Sequence, residues 1–102
     1  MDKKVVINIA KKYAAAIRSK YDFKQMILFG SYTKGNYHEE SDIDIAVIFN
    51  DFENTLNMQL ELMRLRRKID SRIEPHPFKE KDFTSSNPLV YEILKYGEQI
   101  EC

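Results

Sequence analysis

The chain has 102 residues and a mass of 12.1 kDa, enough for one hydrophobic core and too little for a second module, so a single domain over 1–102 is expected. Sixteen Lys and Arg balance sixteen Asp and Glu, and 43% hydrophobic with 12% aromatic residues is a globular rather than a disordered composition. This neutral balance argues against general nucleic-acid binding, which rests on an excess of cations facing phosphate, so any phosphate chemistry must be local. The single cysteine is the last residue, Cys102, which excludes a disulfide framework, a cysteine zinc site and a thiol nucleophile with a placed base, and points to a reducing cytoplasm. The N-terminal apolar run is interrupted at Asn8 and closed by Lys11, too short for a signal-peptide core or a membrane span.

Val6, Ala10, Tyr13 and Ile17 recur at helical spacing and predict a scaffold helix over about 3–20, with Lys and Arg on its other side. The run M-I-L-F between Lys24 and Phe29, ended by Gly30, reads as a buried strand feeding a turn. Asp42 to Phe49 reads as a second strand, closed by Asn50 and Asp51. From Phe52 to about Asp70 the pattern is helical with two apolar stripes: Phe52, Leu56, Leu60 and Met63 on one side, Met58, Leu62, Leu65 and Ile69 on nearly the opposite one. One stripe is expected to pack on the sheet, and the other to meet the first helix, another part of the fold or a second chain. Arg64, Arg66, Arg67 and Lys68 crowd the end of this helix, where cations complement the dipole.

Ser71 to Pro77 reads S-R-I-E-P-H-P, an extended segment whose prolines suit an edge or a strand end. After the loop K-E-K-D-F-T-S-S, Asn87 and Pro88 make an N-cap and first helical position, Leu89, Val90, Ile93 and Leu94 form a stripe, and Gly97 is a stop. The tail E-Q-I-E-C offers an edge strand. The order is that of an α/β or α+β fold, with a small mixed sheet flanked by helices.

The chemistry concentrates between Phe29 and Phe49. Asp42 and Asp44 leave the same face of an extended backbone, with Ile43 and Ile45 on the other. Two carboxylates about 6.7 Å apart repel by about 2.5 kcal/mol at an effective dielectric near 20. A hard divalent cation reverses that repulsion, and Mg²⁺ is commonly held by one or two carboxylates together with substrate phosphates. Gly30 and Ser31, at the exit of the preceding strand, bring backbone N–H groups and a hydroxyl toward phosphate oxygens, more so if Ser31 opens a helical turn. Gly35 lets the chain turn back toward Asp42, and Lys34 adds a positive charge. Alone, a D-x-D is commonly a solvated pair and a Gly-Ser a turn; the specific signal is their joint spacing, G-S-x10-D-x-D. The P-loop pattern is absent, and an EF-hand would need a polar ligand at Ala46 and glycine at Val47.

With G-S-Y-T-K-G at 30–35 and S-D-I-D-I at 41–45, the chain resembles the minimal nucleotidyltransferases of the DNA polymerase β superfamily, small proteins often paired with a helical HEPN partner and in some pairs acting as its antitoxin. The order of elements resembles that family over about 3–100. The resemblance implies a polymerase β-like fold, Asp42 and Asp44 as ligands of two Mg²⁺ ions, and Gly30 and Ser31, with Lys34, on the phosphates of ATP or another nucleoside triphosphate. Lys34 stands where the family often has arginine, which keeps the charge and loses the planar, bidentate contact. A third carboxylate on a later strand normally completes such a site, as metal ligand or as base toward the acceptor hydroxyl. Glu74 is the candidate from its place in the order of elements, where many relatives carry aspartate; Asp70 is the runner-up, with the end of the helix as its plain alternative. Arg72 and His76 share the face of Glu74 by parity and are placed to touch phosphate or base, although a surface role for His76, between two prolines, weighs about equally.

The reaction implied is in-line attack of an acceptor hydroxyl on the α-phosphate with loss of pyrophosphate, the two metal ions about 3.5–4 Å apart clamping the attacking and leaving oxygens. The acceptor implied is a hydroxyl of a partner protein of the HEPN type, receiving AMP. The Met58, Leu62 and Leu65 stripe is then the expected docking face for that partner or for a second copy. Two other readings stand beside this one: a non-catalytic module of the same fold that neutralises a partner by contact, and an unrelated small domain in which Ser31 lies far from Asp42 and Asp44.

Overall fold

The computed structural model describes residues 3–35 and 41–100; the return from Gly35 to Asp42 lies in part, and Cys102 wholly, outside them. Helix α1 covers Lys3–Arg18 and buries the face Val6, Ala10, Tyr13, Ala14 and Ile17. Strand β1, Gln25–Phe29, feeds the four-residue helix α2, Ser31–Lys34, and β2 follows over Ile43–Phe49. Helix α3, Thr55–Leu65, runs into a 3-10 turn over Arg66–Lys68; β3 is Ile73–Lys79, a second 3-10 turn spans Glu80–Asp82, α4 is Pro88–Tyr96 and β4 is Glu98–Gln99. The sheet order is β3-β2-β1-β4, with β1 antiparallel to both β2 and β4 and β2 parallel to β3. The result is the mixed sheet with flanking helices that the pattern predicts. Among the described residues no helix is long and apolar enough to cross a membrane.

Alternation along the strands divides the core in two. Met26, Leu28, Ile43, Ile45, Val47, Phe49 and Ile73 join the buried faces of α1 and Leu62 of α3. On the other face Ile27, Phe29, Ala46 and Ile48 pack with Ile93 of α4, flanked by Phe78 and Phe83. The central strand β2, IDIAVIF, is therefore apolar on both faces, and Asp44 is its one charged residue. Burying the remainder of β2 fixes the register, and with it the face on which Asp44 emerges.

Several boundaries differ from the sequence expectation. Helix α3 starts at Thr55 because the Asn54 side chain caps it, accepting from the Asn57 N–H at 3.0 Å, while Phe52 stays outside and packs edge-on against Phe49. The stripe expected to dock a partner is the inner one. Leu62 is fully buried and Met58, Leu65 and Ile69 pack on the same core, whereas Leu56 and Leu60 are 67% and 47% exposed. The cause is α1: the Tyr13 hydroxyl donates to the Leu62 carbonyl oxygen at 2.6 Å, tying that side of α3 inward. Burial pushes the Tyr13 phenol far up, so it remains the donor. The proline-rich strand β3 is an edge strand, as Pro75 and Pro77 favour, but it runs on to Lys79 instead of ending at Pro77. In α4, capped by Asn87 with Pro88 first, Val90 and Ile93 are buried while Leu89 and Leu94 face outward. Gly97 closes α4 with an ordinary φ of −69°; glycine is needed there for space, since a Cβ would lie 2.5 Å from Ile27 Cγ2.

Candidate active site

The exit of β1 is the hinge of the site. Gly30 has φ 80° and ψ −146°, a conformation essentially confined to glycine. A Cβ there would lie 2.4 Å from Asp44 Oδ2, so the absent side chain is what lets the Asp44 carboxylate rest against the Gly30 backbone. The chain then coils at once into α2: the Thr33 and Lys34 N–H groups and the Thr33 hydroxyl all donate to the Gly30 carbonyl oxygen, at 3.1, 3.2 and 3.0 Å. Gly35, φ 83°, closes the turn by donating to the Ser31 carbonyl oxygen. Ser31 thus opens a helical turn directly after the close approach to Asp44. The neighbour of Ser31 packs against Asp44, which counts against a domain in which Ser31 lies far from that carboxylate.

Asp44 pairs in register with Phe29 on β1 and with Glu74 on β3. Paired residues of parallel neighbours share a face, so Glu74 stands beside Asp44 across one strand spacing of about 4.8 Å. His76, two residues further, puts Nε2 3.2 Å from Asp44 Oδ1 and sets its ring edge-on to Phe29, centroids 5.0 Å apart. Asp42 precedes β2 and is exposed; the start of the strand is held by the Ile43 N–H donating to the Arg72 carbonyl oxygen at 2.8 Å.

The other expected residues are engaged elsewhere. The Glu74 carboxylate lies 3.9 Å from Arg66 Nη1, and the same nitrogen donates to the Ile73 carbonyl oxygen at 2.7 Å. Lys34 forms an ion pair with Glu92 of α4 and lies 5.3 Å from the Tyr96 ring centroid. Asp70 is gripped by Arg72 through Nε at 2.9 Å, Nη2 at 2.5 Å and the backbone N–H at 2.9 Å. Those bonds hold its carboxyl below the usual carboxylate range in spite of partial burial, and they account for Asp70 as the residue that ties the 3-10 turn to the start of β3.

Among the described residues no three His, Cys, Asp or Glu side chains converge closely enough to hold a metal ion by themselves. Asp42 lies ahead of the strand and Glu74 has Arg66 as its neighbour, so the three carboxylates are aligned by topology without being gathered into a cage. This donor set fits Mg²⁺ in the form in which substrate phosphates and water complete an octahedron around one or two carboxylates, and does not fit an all-protein site. Parity along β3 identifies the face of His76, but its contact with Asp44 depends on the register of a parallel pair far apart in sequence, and no local signal carries that.

The polymerase beta nucleotidyltransferase family matches residues 11–102. A candidate protein adenylyltransferase of Methanocaldococcus jannaschii is 43% identical over 56 residues, a match spanning 52% of this chain and 56% of that protein. A second one from the same organism is 28% identical over 100 residues, covering 94% of this chain and 95% of its own length. Among solved structures, a toxin–antitoxin complex with AMP-PNP contains a chain that superposes with a TM-score of 0.67 at 26% identity, over 89% of this chain and 71% of that one. With a family match that spans residues 11–102, the chain belongs to the polymerase beta nucleotidyltransferase family.

Proposed function

We propose that this chain moves AMP from ATP onto a hydroxyl group of a partner protein of the HEPN type, with Mg²⁺ held at Asp42 and Asp44. The observation that carries this reading is the contact between the Gly30 backbone and the Asp44 carboxylate, which brings a phosphate-facing turn and a metal-facing carboxylate to one place. Family membership supports nucleotidyl transfer, and the names of the M. jannaschii relatives support a protein acceptor. The resemblance to a chain from a toxin–antitoxin complex with AMP-PNP supports an adenine nucleotide and an antitoxin-type pairing.

In this reading Gly30 and Ser31 receive the triphosphate, and Lys34 exchanges Glu92 for a phosphate oxygen. The acceptor oxygen attacks the α-phosphorus in line, the bond from that phosphorus to the α–β bridging oxygen breaks, and pyrophosphate leaves. The hydroxyl proton passes to Glu74, which stands in register beside Asp44 and swings away from Arg66 to take it. Mg²⁺ held by Asp42 and Asp44 would supply neutralisation of the negative charge on the reacting phosphates. The partner docks on the outer stripe of α3, Leu56 and Leu60, with the cations Arg64 and Arg67 lining the cleft beside Leu60.

The ion pairs that engage Glu74 with Arg66 and Lys34 with Glu92 favour a second reading, in which the fold binds a partner and catalyses nothing. One experiment separates the two. Incubated with Mg²⁺ and the purified partner, the chain should label that partner from α-labelled and not from γ-labelled ATP, and Asp42→Asn should abolish labelling while the complex survives. A tight complex with no labelling from any triphosphate would leave the binding module as the correct account.

A further inference from the structure

We propose that His76 is a positioning residue for Asp44, holding its carboxylate in the orientation that a metal–nucleotide complex requires. The inference rests on the reading of Asp44 as a metal ligand. An ionised carboxylate can only accept, so the 3.2 Å contact from His76 Nε2 to Asp44 Oδ1 places the proton on Nε2 and makes His76 the donor. Each oxygen of Asp44 therefore has a neighbour: Oδ1 the His76 donor, and Oδ2 the backbone of Gly30, which it approaches closely enough to exclude a Cβ. A carboxylate hydrogen-bonded at one oxygen and packed against backbone at the other has fewer orientations open to it before the metal arrives.

The imidazole is itself held. Its ring meets Phe29 edge-on at 5.0 Å across β2, where His76 stands in register with Ala46 and Phe29 with Asp44. Pro75 and Pro77 on either side restrict the backbone that carries it. Ligating carboxylates and histidines are commonly oriented by such outer hydrogen bonds, and removing one costs about 10–100-fold in metal affinity or activity. His76 makes two separable contacts, a donated hydrogen bond and a ring contact, and only the first is required for positioning.

His76→Phe keeps the ring against Phe29 and removes the donor; His76→Gln keeps a donor at the reach of Nε2 and removes the ring. The readout is calorimetric affinity for α,β-methylene-ATP, whose α–β bridge cannot be cleaved, as a function of Mg²⁺, with thermal unfolding of each variant alongside. Positioning predicts that His76→Phe weakens the Mg²⁺-dependent part of binding about 10–100-fold, that His76→Gln stays within a few-fold of wild type, and that His76→Phe adds nothing in an Asp44→Asn background. A packing role alone would reverse the order, with His76→Gln the damaged variant in both unfolding and binding, and would overturn the proposal. So would unchanged binding by His76→Phe while Asp44→Asn loses it. If Asp44→Asn itself retains full Mg²⁺ dependence, the metal-ligand reading of Asp44 is what fails, and the role proposed for His76 falls with it.

Discussion

Gly30→Ala is the sharpest perturbation of the site, because Gly30 and Gly35 have nearly the same positive φ in different surroundings. At Gly30 a Cβ would sit 2.4 Å from Asp44 Oδ2, while at Gly35 it would meet nothing within 4 Å among the described residues. Bringing the first contact out to 3.0 Å, below which real Cβ contacts essentially never occur, moves the Asp44 carboxylate by at least 0.6 Å. A misplacement of about 1 Å costs roughly 10²-fold in a positioned site, so a shift of this size should cost on the order of 10-fold in nucleotide transfer. Backbone strain adds about 1–3 kcal/mol of destabilisation, with each kcal/mol lowering Tm by about 4 °C or more in a chain of this length. Gly35→Ala carries only the strain of the left-handed conformation, about 1–2 kcal/mol, and should leave affinity for Mg²⁺ and α,β-methylene-ATP unchanged. Calorimetric titration and scanning calorimetry on both variants make the comparison. Wild-type transfer and affinity in Gly30→Ala would refute the claim that the turn and Asp44 form one site.

Three further outcomes follow from the packing and the charges. Leu62→Ala should cost about 2–5 kcal/mol in urea unfolding, whereas Leu60→Asp, on the outer stripe, should stay within about 0.5 kcal/mol and instead weaken the partner complex in a pull-down. Tyr13→Phe should cost about 0.5–1.5 kcal/mol, because the Leu62 carbonyl oxygen still accepts from the Arg66 N–H, as the urea midpoint would register. Asp70 has a lowered folded-state pKa, so its contribution is present above the unfolded value near 3.9 and is lost as pH falls through the folded value. Wild type should therefore exceed Asp70→Asn by about 1 kcal/mol near neutrality, with the two urea curves converging in acid.

Much of the core is legible in residue periodicity. Val6, Ala10, Tyr13 and Ile17 mark the inner face of α1 by spacing alone, and the apolar run of β2 broken by Asp44 marks a central strand with one chemical residue. Turn chemistry placed Gly30 and Ser31 at the strand exit, and the touching of Gly30 and Asp44 follows from an antiparallel pairing of consecutive strands. What periodicity cannot supply is the side of a helix that meets the sheet. Both stripes of α3 are apolar, and the choice was made by α1 through Tyr13 and Leu62, residues 49 apart in sequence. On β3 the resemblance singled out Glu74 and parity gave the face it shares with His76, but the register that sets them beside Asp44 arrives through a parallel crossover that no local pattern encodes. Lys34 and Asp70 illustrate the converse, since their charges were readable and their partners, Glu92 and Arg72, were not.

The most direct measurement is a diffraction experiment on the chain soaked with Mn²⁺ and α,β-methylene-ATP, using the anomalous signal to locate the metal. The account predicts a peak within about 2.0–2.2 Å of carboxylate oxygens of Asp42 and Asp44, as expected for a hard octahedral cation, with the triphosphate running from Gly30 and Ser31 toward Lys34. A nucleotide seated instead in the basic cleft lined by Leu60, Met63, Arg64, Arg66, Arg67 and Ser71, with no metal at Asp44, would contradict it.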